Sequence, residues 1–327
     1  METLDANLSQ LPSMLWARTL KKRTGWTYGK IQKEYSLSFQ KENPDFSMQS
    51  SRCLYKYDKG VRVRGRKFVD MIEAGLPGTK RLLTHPLWEI LGNPNATNQQ
   101  LSEYIEALEL SVKQKLFVYD KKDGVYKRRD LKKVREIYYI SMKNNLDALA
   151  CLLILVREFE IKEQVDPYII CKWEAYYLLA RIGLFPPLKD LVASIYKYMY
   201  PLFIGKNDPL PLSFETFFSK HMPEHFRPPP NVDVNLLLEM NSSILEVMIR
   251  KKIISSNEDE QMKFLFFIEN SGKKREILFM LEDFNPLSTD KKFPEPLNLV
   301  MSMMKGDSRH YLSGRSFLLG KKIYAEN

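Results

Sequence analysis

Apolar residues recur at three- and four-residue intervals along most of this chain, and that spacing predicts a mainly α protein. Leu11, Leu15 and Leu20 mark a first helix over 11–24, and Gly25 stands where a left-handed C-terminal cap belongs. Thr27 is an N-cap residue type ahead of a second helix through Tyr35, with Tyr28, Ile31 and Tyr35 on one side. Residues 36–47 contain Asn43-Pro44-Asp45 and read as a loop. A third helix is expected over 48–59, stopped by Gly60, and a fourth over 68–73, ending at Gly75. Pro77-Gly78 then breaks the chain, and 87–91 is short and apolar. The strong turn signal Gly92-Asn93-Pro94-Asn95 sets the first expected boundary, making 1–92 a domain.

Beyond it, Leu101, Ile105, Leu108 and Val112 predict one helix over 96–114. Two β-prone runs, 116–119 and 125–126, flank Asp120-Lys121-Lys122-Asp123-Gly124, which is a β-hairpin signal. Helical character resumes over 131–144. Residues 146–159 are apolar nearly all round and predict a buried central helix. Further aromatic-rich helices are expected over 173–182 and 188–198, separated by Pro186-Pro187. A helix over 234–254, an acidic turn at 257–260 and a mixed stretch holding 264–268 and 277–281 follow. Residues 93–230 therefore read as a larger helical domain carrying the hairpin. Residues 231–327 read as a C-terminal helical module, separate or continuous with it.

Charge changes this picture. Residues 18–67 hold 14 Lys+Arg against 4 Asp+Glu, a surplus of +10 that equals the formal net charge of the whole chain. A surplus confined to one segment points to a local polyanion site, and nucleic-acid phosphate is the first candidate. Residues 17–73 resemble the Cro/C1-type (XRE) helix-turn-helix DNA-binding domain. Thr27-Tyr28-Gly29-Lys30-Ile31 matches the opening of that family's second helix, and Leu54-Tyr55-Lys56-Tyr57-Asp58-Lys59-Gly60 the close of its third. The turn between them is expanded by about ten residues, and Arg62-Val63-Arg64 stands where the family places Pro. The resemblance implies an N-terminal helix-turn-helix-like bundle in which Ser50, Ser51, Arg52 and Lys56 face the major groove or its flanking phosphates. Lys30, on the opening turn of the second helix, joins the candidate nucleic-acid-binding residues.

The run Val61-Arg62-Val63-Arg64-Gly65-Arg66-Lys67 adds Arg62, Arg64, Arg66 and Lys67, as an extended arm along phosphates or as a solvated loop. A second basic stretch, 113–135, holds ten Lys+Arg against three Asp. Its Lys121, Lys122, Arg128 and Arg129 are candidates for a wing against DNA, or for a hairpin kept soluble by charge. Tyr57 and Asp58 are expected to be structural. An acid near a helix C-terminus is disfavoured by the macrodipole and needs a cation, with Arg18, Lys21 and Lys22 as candidates.

Chemistry is sparse in the sequence. Three cysteines without a CxxC pair fit a reducing compartment and neither a disulfide framework nor a zinc site. His221 and His225 are four apart but enclose Pro223, so no metal and no cofactor are expected. No phosphate-loop, nucleophile-elbow or zincin motif is present, and an enzyme is not expected. Trp173, Tyr176, Tyr177, Tyr196, Tyr198 and Tyr200 fit a helix core better than a base-stacking surface. No apolar run is long enough to span a bilayer, and the expected setting is cytoplasmic. The leading expectation is a DNA-binding regulator whose helical domain oligomerises, senses a ligand or binds a partner. The alternative is a non-catalytic helical adaptor of a mobile-element or phage-defence system that binds a nucleoprotein partner. A nucleic-acid enzyme lacking any linear motif stands third.

Overall fold

A computed structural model of the chain describes residues 6–42, 53–63, 65–131, 134–203, 234–250 and 253–271. The protein is mainly helical. In chain order the helices are α1 (Leu11–Thr24), α2 (Tyr28–Glu42), α3 (Cys53–Asp58), α4 (Arg66–Gly75), α5 (Pro86–Gly92), α6 (Asn98–Glu106) and α7 (Leu110–Leu116). The hairpin strands β1 (Phe117–Asp120) and β2 (Val125–Arg128) follow. Then come α8 (Val134–Ser141), α9 (Leu146–Ile161), α10 (Val165–Ile182), α11 (Val192–Phe203), α12 (Val234–Arg250) and α13 (Glu258–Ser271). The chain divides into two units. One takes the described residues up to Leu108 together with Phe185–Leu202; the other takes Glu109–Leu184 and the described residues from Phe203 onward. The turn at 92–95, where the sequence suggests a boundary, lies inside the first unit.

The first unit is built on α1. Leu11, Met14, Leu15, Trp16, Ala17 and Leu20 are all buried, and Gly25 at φ 65° ends the helix by donating its N–H to the Lys21 carbonyl at 2.9 Å. Thr27 Oγ1 accepts from the Lys30 N–H at 3.3 Å and starts α2. That helix does not stop at Tyr35 as its apolar pattern suggests but continues to Glu42. Residues 36–42 contain neither Gly nor Pro, and Ser36 turns its hydroxyl back onto the Gln32 carbonyl at 2.6 Å. The first true breaker is Asn43-Pro44, since a residue before Pro is disfavoured in a helix. Residues 43–52 lie outside the described residues, so only the Cys53–Asp58 part of the expected third helix is seen, and Gly60 at φ 89° follows it. The fourth helix starts at Arg66, ahead of the apolar run that announced it.

Trp16, Leu20, Ile31, Leu54, Phe68, Val69, Met71 and Ile72 form the buried core joining α1 to α4. Trp16 meets the rings of Phe68 and Tyr57 at 6.0 Å each. α4 ends against α2 so closely that a Cβ on Gly75 would overlap the Tyr35 ring. Glu73 then holds the following loop, accepting from the backbone of Gly78 (2.5 Å) and Lys80 (2.6 Å) and from the Thr79 hydroxyl (3.1 Å). Residues 185–202 complete the unit with a 3-10 turn (Lys189–Leu191) and most of α11, burying Leu188, Leu191, Val192, Ile195, Met199 and Leu202.

In the second unit α9 is buried nearly all round, as expected, and α8 and α10 pack along it. The helix predicted over 96–114 is broken at 107–109. Nothing local breaks it; the buried Asp147 carboxylate captures the Glu109 N–H at 2.8 Å, a contact that periodicity cannot reveal. α10 begins at Val165, well before the predicted start at 173, because Pro167 falls in the first turn, where its missing N–H costs nothing. The buried Arg181 ties α10 to the end of α8 and to α13. It donates to Ser141 Oγ at 2.6 Å and Asn144 Oδ1 at 3.1 Å and lies 5.1 Å from the Phe266 ring centre. The expected acidic turn at 257–260 is the start of α13, with Asn257 Oδ1 accepting from the N–H groups of Asp259 (2.9 Å) and Glu260 (3.1 Å). The stretch 264–268 is therefore helical, and 277–281 lies outside the described residues.

The hairpin forms where the sequence puts it, antiparallel in the register Phe117↔Arg128 to Asp120↔Val125. Its base is anchored to α9 by Arg128, whose Nη2 donates to Glu158 at 2.7 Å; Lys162 holds the other oxygen at 2.7 Å. Burial pushes the Glu158 carboxyl up, but the Arg128 and Lys162 charges outweigh it and hold it below the ordinary 4.5.

Two outcomes follow from this packing. Tyr57→Ala removes a half-buried ring from the Trp16 contact. It is expected to cost about 2 kcal/mol, less than the roughly 3–5 of a fully buried ring, and to lower the melting temperature by several degrees. A melting curve unchanged from the parent would remove Tyr57 from the core. Glu158→Gln is expected to cost about 1–3 kcal/mol at neutral pH, because it strips a carboxylate from the partly buried Arg128. Since the folded carboxyl titrates below 4.5, its contribution is full above that pH and is lost as pH falls through the lower folded value. Chemical denaturation at neutral pH and at about pH 3 should therefore show the deficit of the variant closing in acid. A deficit of constant size would show that the charge is not what anchors the hairpin.

Candidate nucleic-acid interface

The basic window keeps its cations outside and draws Asp58 inward. Arg18 Nε donates to Asp58 Oδ1 at 2.7 Å, and Arg18 Nη1 stands 3.5 Å from Asp190 Oδ2. Both partners of the first pair are mostly covered, with side chains 17% and 20% exposed. Arg18 is thus the cation, among the three candidates, that serves the acid at the α3 C-terminus. Burial, with the Asp58 carboxylate beside it, raises the Tyr28 hydroxyl far above its ordinary pKa, so Tyr28 stays protonated and hydrogen-bonds Asp58.

Around this inward pair the cations face water. Lys30, Lys33 and Lys41 are exposed on α2, Lys56 on α3, and Arg62, Arg66 and Lys67 beyond it. Lys30 and the exposed Lys59, just after α3, are held over aromatic rings. Lys30 Nζ lies 4.6 Å from the Trp26 ring centre, and Lys59 Nζ lies 5.7 Å from that of Tyr55, itself exposed. In both pairs the aromatic precedes the Lys by four residues, a helical spacing visible in the sequence but not singled out there. At the end of α1, Lys21 sits 5.6 Å from the Tyr28 ring centre and Arg23 donates to the Pro77 carbonyl at 2.8 Å. With Lys22, these two place three favourable charges in the last turn of the helix.

The arm after α3 is pinned rather than loose. The Val61 N–H bonds to the Lys56 carbonyl at 3.0 Å, and the Val63 N–H donates to the buried Ser13 Oγ at 3.1 Å. Lys56, Lys59 and Arg62 are thereby brought onto one short tethered stretch. Ser50, Ser51, Arg52 and Arg64 lie outside the described residues.

The second basic stretch is sorted differently. Lys121 and Lys122 are exposed in the hairpin turn, with no side-chain partner among the described residues. Lys127 is gripped by Asp120 at 2.8 Å and by Asp123. Arg128 is engaged by Glu158 and lies 5.5 Å from the Phe117 ring centre, and Arg129 Nε donates to the Phe117 carbonyl at 3.1 Å. The four hairpin candidates are therefore two exposed lysines at the tip and two arginines committed at the base.

Little else among the described residues offers chemistry. No three His, Cys, Asp or Glu side chains gather into a metal-binding group there, and His221 and His225 lie outside it. Burial pushes the Cys151 thiol up to about 12 and raises Cys171 well above its usual value, so both are inert core groups. Trp173 contacts Tyr176 and Tyr177 at 5.9 and 6.0 Å within one aromatic cluster on α10, with Tyr176 buried. Tyr196 and Tyr198 are half-buried, and the Tyr200 side chain lies outside the described residues. No described helix is long and apolar enough to cross a membrane. Compared with known proteins, the chain matches no family model, no curated protein and no solved structure.

Proposed function

We propose that the chain is a nucleic-acid-binding protein, a sequence-specific DNA-binding regulator whose first unit docks on duplex DNA. In this reading the helical second unit serves oligomerisation or partner binding. The observation that carries the proposal is the sorting of charge in the basic window. Asp58, the acid that would repel phosphate from α3, is tied inward to Arg18, and Lys30, Lys56, Lys59, Arg62, Arg66 and Lys67 are left at the surface. Two of those lysines are held in place by rings, so less side-chain entropy is lost when they meet phosphate. The resemblance to the Cro/C1-type domain implies that Ser50, Ser51 and Arg52 face the groove or its flanking phosphates, with Arg52 as reader of a base edge.

With about five phosphates contacted, the logarithm of the affinity of the full-length protein for duplex DNA should fall against log salt with a slope of about −4 to −5. Replacing Lys30, Lys56 and Arg62 together by Ala should weaken all duplex sequences alike and shallow that slope by about 2 to 3. Arg52→Ala should instead cost roughly 1–3 kcal/mol and relax preference at one base position. Gel shifts and anisotropy titrations across a salt series measure all three. Affinity that ignores salt, or a triple variant that binds as the parent does, would sink the reading.

A further inference from the structure

The hairpin of the second unit carries a feature that the charge of the basic window does not explain. From residue 121 to 127 every side chain is exposed, so the tip projects into solvent. In the observed register Tyr119 faces Tyr126 directly across the strands, with ring centres 5.2 Å apart and planes at 58°. A cross-strand aromatic pair stabilises a hairpin, yet these rings remain 51% and 73% exposed. Val118 and Val125, on the other face, are exposed as well. Clustered apolar and aromatic exposure of this kind marks an interaction surface.

The platform is stiffened from beneath. Lys127, on the face opposite the rings, is clamped by Asp120 and Asp123, and Gly124 at φ 69° closes the turn by donating to the Asp120 carbonyl at 2.9 Å. Those contacts occupy both acids of the tip and leave Lys121 and Lys122 as its uncommitted charges. The surface therefore offers two planar π faces with unneutralised cations at the adjoining turn. On a tip exposed from 121 to 127, unstacked bases of a flexible polyanion can lie on the rings while its phosphates reach the lysines, a charge complementarity that an uncharged apolar peptide lacks.

We propose that this hairpin is a stacking site for single-stranded nucleic acid, with bases on Tyr126 and Tyr119 and backbone phosphates on Lys121 and Lys122. The inference deepens the nucleic-acid reading above and rests on it for the class of partner, but it uses a different surface and a different strand state. The test is fluorescence anisotropy of the full-length protein with a fluorescein-labelled oligothymidylate of about 16 nucleotides, near the upper site size for one such platform. Tyr126→Ala should weaken binding about tenfold, the loss of one stacked base, and Tyr126→Phe should keep the parent affinity. Replacing Lys121 and Lys122 by Ala should shallow the log–log salt slope by about 1.4. Thermal melts establish that each variant is folded, and the Tyr126→Phe result separates ring stacking from fold damage.

Parent protein that does not bind the oligothymidylate, or Tyr126→Ala that binds it as well as the parent, overturns the proposal. So does a Tyr126→Ala variant that loses a dimer in solution while its oligothymidylate affinity is unchanged, since the rings would then cover a second copy. The Lys30, Lys56 and Arg62 variant assayed on duplex keeps the two readings apart. Duplex binding that depends on those residues survives failure of the hairpin site, and single-strand binding that depends on Tyr126 survives failure of the duplex reading.

Discussion

An acid at the end of a short helix in a strongly basic segment is the constraint around which the first unit is arranged. Asp58 closes α3, where the macrodipole already concentrates negative charge. It stays because Arg18 of α1 reaches it at 2.7 Å and the Tyr28 hydroxyl of α2 bonds it from another side. Asp190 then faces the second nitrogen of the same guanidinium, bringing residues 185–202 to the cluster. One arginine thereby joins α1, α2, α3 and a segment that arrives from far along the chain. Removing either partner of the Arg18–Asp58 pair would leave a mostly covered charge uncompensated, which is much more damaging than losing a surface ion pair. The same geometry takes the acid off the face where the lysines stand.

The parts of this arrangement that were legible in the sequence are those with a local cause. Gly25 at φ 65° and Thr27 capping α2 are single-residue signals, and both stand where expected. The Asp-Gly turn between two β-prone runs fixed the hairpin to within a residue or two. Even the partner of Asp58 could be narrowed to three cations, because the macrodipole demands one. What could not be read has a distant cause. The break at 107–109 depends on Asp147, and the return of 185–202 to the first unit depends on packing remote in sequence. The extension of α2 was missed for a different reason. Asn43-Pro44-Asp45 makes 36–47 read as a loop, but its steric veto acts only at Asn43-Pro44, and the residues before it stay helical.

Counting charges over a window and counting charges free to meet phosphate give different answers in the two basic stretches. Residues 113–135 carry a formal surplus of +7, yet Lys127 and Arg128 are matched by carboxylates and Arg129 is spent on a backbone carbonyl. A cation opposite a carboxylate at 2.7 or 2.8 Å forms a nearly neutral pair, which attracts an approaching phosphate far less than a lone cation does. In the first unit the corresponding lysines lie over rings instead. Trp26 and Tyr55 orient Lys30 and Lys59 through their quadrupoles but carry no net charge, so each ammonium keeps its full unit for an incoming anion. This difference ranks the surfaces by mechanism rather than by composition. The first unit offers held but unneutralised cations, suited to a regular phosphate lattice. The hairpin offers rings with two lysines, so its affinity for a flexible strand would come from stacking more than from counterion release, and its salt dependence would be the shallower of the two.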